Sequence, residues 1–279
     1  MDENTLQTVA LNNGVTMPRL GFGVWQVGDD EAVTAVGLAL DAGYRSIDTA
    51  SAYGNERGVG RAVRAADLPR DEVFVTTKLW NADHGHDAAL KAFDTSLAKL
   101  DLEYVDLYLV HWPMPARDDY VDTWRALERI AGEGRARAVG VSNFAVPHLE
   151  RLAAETGLVP AVNQIELHPY FTQPELRAHH AAHGIATEAW SPLGQGRGLL
   201  DDPVLGRIAA AHDRSPAQVV LRWHLQSGNI AIPKSVTPSR IKENHALSDF
   251  TLTLEDMDSI DALDRDTRYG PDPLRFNAS

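Results

Sequence analysis

Short runs rich in Val, Ile, Leu and aromatic residues alternate along this chain with stretches whose apolar residues recur every three or four positions. The first pattern reads as β-strand and the second as amphipathic α-helix. TVALNNGVTMP opens the series as a two-strand hairpin turning at Asn12, Asn13 and Gly14. LGFGVW (20–25) then precedes a helix from Asp30 to Ala42, and SIDT (46–49) one from Asn55 to Ala65. VFVTTK (73–78) precedes a helix from Asp87 to Lys99, and VDLYLVH (105–111) one from Tyr120 to Gly132. ARAVGVS (136–142) is followed by a helix from Val146 to Glu155, and AVNQIEL (161–167) by one from Gln173 to His183. IATEAWS (185–191) leads through a glycine-rich loop to a helix from Ser215 to Gln226. NIAIPKS (229–235) leads to one from Pro238 to Ala246.

Eight strand–helix units in succession imply a parallel sheet covered by helices, and the count of eight favours a closed (β/α)8 barrel, the TIM-barrel fold of class α/β. The N-terminal hairpin is placed to plug the barrel bottom. A last amphipathic helix (Leu254 to Leu263) and a Pro-rich tail follow the eighth unit. No linker or low-complexity segment interrupts residues 1–279, so one barrel domain is expected, a usual size for this architecture.

Composition narrows the function classes. A net charge of −13 opposes nonspecific binding to nucleic acid or to an anionic membrane, while a local basic pocket for a small anion remains compatible with it. There is no cysteine, which excludes disulfides and thiolate metal sites. The first residues are acidic and polar without a basic or apolar leader pattern, and no apolar run reaches membrane-spanning length. A cytoplasmic protein acting on a small molecule is the expectation.

The chemistry sits at consecutive strand ends. SIDT places Asp48 there, VFVTTK places Lys78, and VDLYLVH places His111; Tyr53 lies five residues past Asp48. In a parallel barrel these ends share one rim, where active sites form. A lysine ammonium lowers the pKa of a neighbouring phenol, a carboxylate keeps that lysine charged, and an imidazole orients a carbonyl oxygen. Singly, Asp48 and Lys78 fit a structural ion pair, Tyr53 a helix cap and His111 a core histidine. Together on neighbouring strand ends they form a proton-transfer apparatus. Trp25, Trp80 and Trp112 follow the strand ends on the same rim and are expected to line a substrate pocket.

Later strand ends carry binding groups. Ser142, Asn143 and Gln164 offer hydroxyl and amide groups that suit a carboxamide. Trp190 offers a flat face, and Gly194, Gly196 and Gly198 let backbone N–H groups approach a phosphate. That loop follows strand seven, where barrels often bind phosphate. Lys234, Ser235 and Arg240 add two cations and a hydroxyl at the last strand top, suited to an anion beyond a pyrophosphate, such as a ribose 2′-phosphate. His84 and His86 read as a solvated loop, and His179 and His180 as solvent-facing helix residues. Neither a Rossmann glycine fingerprint nor a G-x-S-x-G elbow occurs.

MPRLGFGVW, GYRSIDTASAYGNE, TTKLWN, DLYLVHWP, VGVSNF, VNQIELHPY, SPLGQG and IPKSVTPSRIKEN cover nearly the whole chain in order. Together they resemble the aldo-keto reductase superfamily. HWPMPA, VPHLERL and PAQVVLRWHLQ bring the chain nearest to bacterial reductases of the 2,5-diketo-D-gluconate type. The resemblance implies a monomeric barrel that reduces aldehydes and ketones with NADPH and needs no metal. Carried over, Tyr53 is the proton donor, Asp48 and Lys78 tune it, and His111 orients the carbonyl. Ser142, Asn143 and Gln164 hold the carboxamide, and Trp190 takes a nicotinamide-stacking position where many members have tyrosine. Ser191, Leu193 and Gly194 meet the pyrophosphate. Lys234, Ser235 and Arg240 hold the 2′-phosphate, and Glu243 and Asn244 the adenine. Two other readings stay open: a metal-assisted barrel hydrolase using Asp48, His111 and His168, and a cofactor-binding regulatory module with little turnover. A short loop after His111 and a short tail predict an open pocket.

Overall fold

The computed structural model describes residues 7–278, so the expected domain 1–279 extends beyond them at both ends. The hairpin pairs β1 (Thr8–Ala10) with β2 (Thr16–Pro18) in antiparallel register. Its Met17, fully buried, packs with Leu11 against the inward strand residues Phe74, Leu107, Leu109, Val162 and Ile230. The hairpin therefore does close the barrel bottom.

Eight parallel strands follow in chain order: β3 (Phe22–Gly23), β4 (Ser46–Asp48), β5 (Phe74–Leu79), β6 (Val105–Val110), β7 (Ala136–Ser142), β8 (Val162–Glu166), β9 (Ala186–Trp190) and β10 (Ile230–Ala231). Each pairs with its sequence neighbour. A parallel bridge between Leu20 and Ala231, with Gly21 N–H donating to Ala231 O at 2.9 Å, joins the last strand to the first. The ring is thus closed, and the Val-, Ile- and Leu-rich strands bury both faces.

The outer helices are α1 (Asp29–Asp41), α2 (Glu56–Ala65), α3 (His86–Leu100), α4 (Tyr120–Gly132), α5 (Val146–Glu155), α6 (Pro174–His183), α8 (Pro216–Gln226) and α9 (Pro238–His245), and α10 (Leu254–Asp261) follows the barrel; α7 is described next. Most bounds fall within a residue or two of the periodicity reading. Two differ. The eighth strand is only two residues long, because the chain past Ala231 turns through Pro233, which has no N–H for the ladder. The glycine-rich loop after β9 contains a further helix, α7 (Pro203–His212), started by Asp202, whose side chain accepts from Val204 N–H at 2.9 Å. Its Leu205 and Ile208 pack with Val219, Trp223 and Ile260 in a second core outside the barrel. Close packing of helices is sequence-specific too: a Cβ on Gly60 of α2 would lie 1.9 Å from Leu100 O at the end of α3.

Candidate active site

β4 ends at Asp48, and its neighbour β5 places Lys78 one residue before its end, so the two side chains meet inside the rim. Lys78 Nζ donates to Asp48 Oδ1 at 2.6 Å, to Thr49 O at 2.9 Å and to the Tyr53 hydroxyl at 3.3 Å. Tyr53 sits in a 3₁₀ turn (Ser51–Tyr53) tied to β5 through Ser51, whose hydroxyl donates to Lys78 O at 2.9 Å. The turn is braced below by buried Asn55, whose amide donates to Val24 O and Val27 O and accepts from the Thr49 hydroxyl. His111, just past β6, packs edge-on to the Tyr53 ring at 5.8 Å between centroids and to Trp80 at 5.2 Å. The four expected residues therefore converge.

Their electrostatics follow from burial. Lys78 is fully buried, and burial is the largest influence and opposes its charge, yet Asp48, with Tyr53 and Glu188 adding to it, holds the ammonium above its ordinary value. Tyr53 departs from the expectation. Burial holds its phenol above the usual value, with Lys78 pulling down against it and Asp48 adding to the rise. Removing a tyrosinate from water costs more than one shared ammonium returns. The phenol is thereby kept in its proton-carrying form. Burial, helped by the Lys78 charge, holds His111 well below its ordinary value, so it is a neutral imidazole with one N–H to donate.

One member of this cluster escaped the strand-end reading. Glu188 of β9 is fully buried, and its Oε2 accepts from Gln164 Nε2 at 2.9 Å. The same Gln164 nitrogen donates to Asp48 Oδ2 at 2.8 Å. Burial, with the Asp48 charge nearby, pushes Glu188 up to about 8. The signal was present in the sequence: a glutamate two residues before Trp190 in an otherwise apolar strand faces the same side as Trp190.

Ser142, Asn143 and Trp190 form a connected patch beside Gln164. The Ser142 hydroxyl donates to Gln164 O at 2.9 Å, Asn143 Nδ2 donates to His111 O at 3.0 Å, and Trp190 Nε1 donates to Asn143 Oδ1 at 2.8 Å. Gln164 has both N–H groups committed to carboxylates, which leaves its carbonyl oxygen as the group to offer. Beyond Trp190 the chain turns at Ser191, Gly194, Gly196 and Gly198, all with positive φ. Within this run Gly194 N–H donates to Ser191 O and Arg197 N–H to Gly194 O, each at 3.0 Å, and Ser191 and Leu193 are half-buried. Across the rim, Lys234 and Arg240 are exposed and make no ion pair among the described residues, despite the excess of acidic side chains. Ser235 and Glu243 lie partly exposed beside them and Asn244 is buried at 6%.

Trp25 is exposed (47%), Trp80 half-buried and Trp112 buried (7%). Trp112 is covered by the tail, contrary to the open pocket expected from the short C-terminal segment. Phe276 packs on its ring at 4.4 Å between centroids, Ala116 N–H donates to Asn277 Oδ1 at 2.7 Å, and Asn81 Nδ2 donates to Ala278 O at 2.7 Å. Upstream, buried Glu166 accepts from Tyr269 N–H at 2.6 Å and Gly270 N–H at 2.8 Å. The tail is short but pinned at both ends, so it forms a wall of the site.

Three histidine expectations need correction. His180 faces inward from α6, bridging Asn163 and the Thr187 hydroxyl at 2.9 Å each, because that turn of the helix lies directly over β8 and β9. His84 is buried and contacts Asp119 at 3.1 Å, the loop being folded against the start of α4. His168 joins Glu166 at 3.1 Å and stacks on Tyr269, so its partners are not Asp48 or His111, as the hydrolase reading required.

A closed parallel barrel with carboxylate, ammonium, phenol and imidazole gathered at the C-terminal ends of its strands has the architecture of a barrel enzyme, whose active sites form on that rim. Residues 19–265 match the model described as the Aldo/keto reductase family, and the chain belongs to that family. It is 54% identical over 269 residues to an aldo-keto reductase of Mycolicibacterium smegmatis, covering 96% of this chain and 98% of that one. It is 51% identical to methylglyoxal reductase DkgA of Escherichia coli, covering 96% and 97%. Among solved structures, a variant of Gox0644 in complex with NADPH superposes with a TM-score of 0.93 at 49% identity, covering 96% of this chain and 98% of that one.

Proposed function

We propose that this chain reduces aldehydes and ketones to alcohols with NADPH, and that Tyr53 is the proton donor. The observation that carries the reading is the buried chain Asp48–Lys78–Tyr53, at 2.6 and 3.3 Å, beside a neutral His111. The NADPH-bound structural relative supports the cofactor. When bound, that cofactor supplies the hydride that reaches the carbonyl carbon. The residues do the rest. His111 donates its N–H to the carbonyl oxygen and holds it by the Tyr53 hydroxyl. Tyr53 gives its proton to that oxygen as negative charge develops, and Lys78 stabilises the resulting tyrosinate. Asp48 keeps Lys78 charged and aimed. Trp25, Trp80 and Trp112 wall the substrate.

The donor set fits the cofactor. The Gln164 carbonyl oxygen, with Ser142 and Asn143 beside it, suits a carboxamide, and Trp190 is held flat by its bond to Asn143. The turns at Ser191, Leu193 and Gly194 suit a pyrophosphate. Lys234, Ser235 and Arg240, whose cations make no ion pair among the described residues, suit a 2′-phosphate, with Glu243 and Asn244 reserved for adenine. Relatives named methylglyoxal reductase support a small dicarbonyl as substrate.

The test is Tyr53→Phe. Loss of the general acid lowers turnover by roughly 10²–10⁴ with NADPH binding intact. Near-normal turnover with chemistry rate-limiting sinks the assignment. A panel of methylglyoxal, sugar keto-acids and aromatic aldehydes, followed by NADPH consumption, ranks the substrates.

A further inference from the structure

Resting on the reading of Tyr53 as the acid, we infer that Glu188 is a positioning residue that keeps its proton at neutral pH and holds the buried cluster at zero net charge through Gln164. The geometry makes the case. Gln164 has one nitrogen with two N–H groups, and it spends them on two different carboxyl groups, Asp48 Oδ2 and Glu188 Oε2. Among the described residues Lys78 is the one cation in contact with this group, and it touches Asp48 Oδ1, not Glu188. The ionisable groups that face Glu188 are Asp48 from β4, Tyr53 from the turn after it and Lys78 from β5; β8 offers the uncharged Gln164. On its other side Glu188 pairs in register with Ile230 of β10, which carries no charge. Glu188 Oε1 is buried and has no hydrogen-bond partner among the described residues. An ionised carboxylate with a bare oxygen in such a site is penalised far more heavily than a protonated acid, whose unpaired hydroxyl is uncharged.

The consequence is for the chemical step. With Glu188 protonated, the cluster of Asp48, Lys78, Glu188 and Tyr53 carries no net charge before reaction. Tyr53 then passes its proton to the substrate oxygen and the cluster becomes singly negative. With Glu188 ionised, the same transfer makes it doubly negative in a dry site, which opposes the step. Glu188 therefore sets an upper pH limit on reduction, below the limit set by loss of the Tyr53 proton itself. Burial of Glu188 and its link to Asp48 through Gln164 place that limit well above the usual carboxylate range, on the alkaline side of neutral pH.

The experiment compares the pH profile of kcat in wild type and Glu188→Gln, using one good aldehyde substrate and saturating NADPH. Glutamine reproduces the neutral acid, so turnover at neutral pH stays within about threefold of wild type. Its alkaline decline moves up by about one pH unit or more, because the lower of the two limits is gone. An alkaline limb that superimposes on wild type overturns the inference, since a merely structural glutamate leaves that limb in place or lowers turnover at every pH. Infrared titration of the wild-type protein provides the second measurement and needs no variant to fold. A protonated carboxyl band is expected at neutral pH, disappearing over the same alkaline range in which turnover declines. No such band at neutral pH overturns the inference as well. Tyr53→Phe is run alongside. If that variant keeps turnover, the acid assignment itself fails; if it is inactive while the two alkaline limbs coincide, only the role of Glu188 fails.

Discussion

Neutralising Asp48 tests whether the buried charges act as a unit. In Asp48→Asn the amide oxygen can still accept from Lys78 Nζ, which is 2.6 Å from Asp48 Oδ1 in wild type, but the ammonium loses its counter-charge at a fully buried position and the new NH2 faces the Gln164 N–H that Asp48 Oδ2 accepts at 2.8 Å. Removing one partner of a buried pair costs about 3–5 kcal/mol; the hydrogen bond retained to Lys78 and the one lost from Gln164 act in opposite directions on that figure. For a domain of this size each kcal/mol moves Tm by about 2–4 °C, so the variant should melt roughly 6–20 °C below wild type. Lys78→Met should be destabilised on a similar scale, since it leaves the carboxylate with only the Gln164 N–H. The double variant Asp48→Asn/Lys78→Met buries no charge at either position and should recover most of the loss. Turnover falls in all three, because Tyr53 loses the ammonium or its anchor. The assay is thermal unfolding by calorimetry or circular dichroism at neutral pH, at low and high salt; burial makes the pattern insensitive to salt. If both single variants lose stability and the double variant is no better than the worse of them, the cost lies in packing and the argument from paired charges is wrong.

Other outcomes follow from the same geometry. Trp112→Ala removes the surface on which Phe276 packs, so KM and substrate ranking should shift more than NADPH affinity and protease cleavage near Phe276 should rise; an unchanged substrate profile in the folded variant refutes the wall. Arg240→Ala should weaken NADPH by about 10-fold, the lower end for a charge-assisted hydrogen bond at an exposed site, and NADH much less, read by tryptophan quenching; equal losses refute a 2′-phosphate role. His180 and His224 are buried neutral, with burial holding both near 3, below the unfolded value of about 6.5. The unfolded chain therefore binds more protons below about pH 6.5, and stability is lost as pH falls from there toward 3. Replacing His224 with Gln should reduce the slope of stability against pH by about one proton; an unchanged slope means that His224 is not a buried neutral group.

The eight strand–helix units were legible in the sequence because a strand buried on both faces and a helix with one apolar stripe leave different periodicities. Asp48, Lys78, His111 and Tyr53 were legible because topology alone puts successive strand ends on one rim. Trp25, Trp80 and Trp112 could be placed near that rim by the same rule. Helix α7 was signalled by the Asp202–Pro203 start and masked by the glycines before it, whose turns dominate local pattern. What depends on long-range contacts was not legible. Whether Lys78 lowers the Tyr53 phenol below its ordinary value is a contest between burial and charge, and burial is known only once neighbouring strands and loops are in place. Glu188 joins Asp48 only through Gln164, across β8, a link between residues separated by 24 and 116 positions. A short tail predicts an open pocket, yet Glu166 and Asn81 clamp that tail over Trp112. His180 and His84 are inside because of which turn of a helix or loop meets the barrel, a rotation that one or two residues of sequence pattern leave undetermined. Local patterning specifies elements and their order; distances, dielectric and proton ownership arise from contacts among residues far apart in the chain.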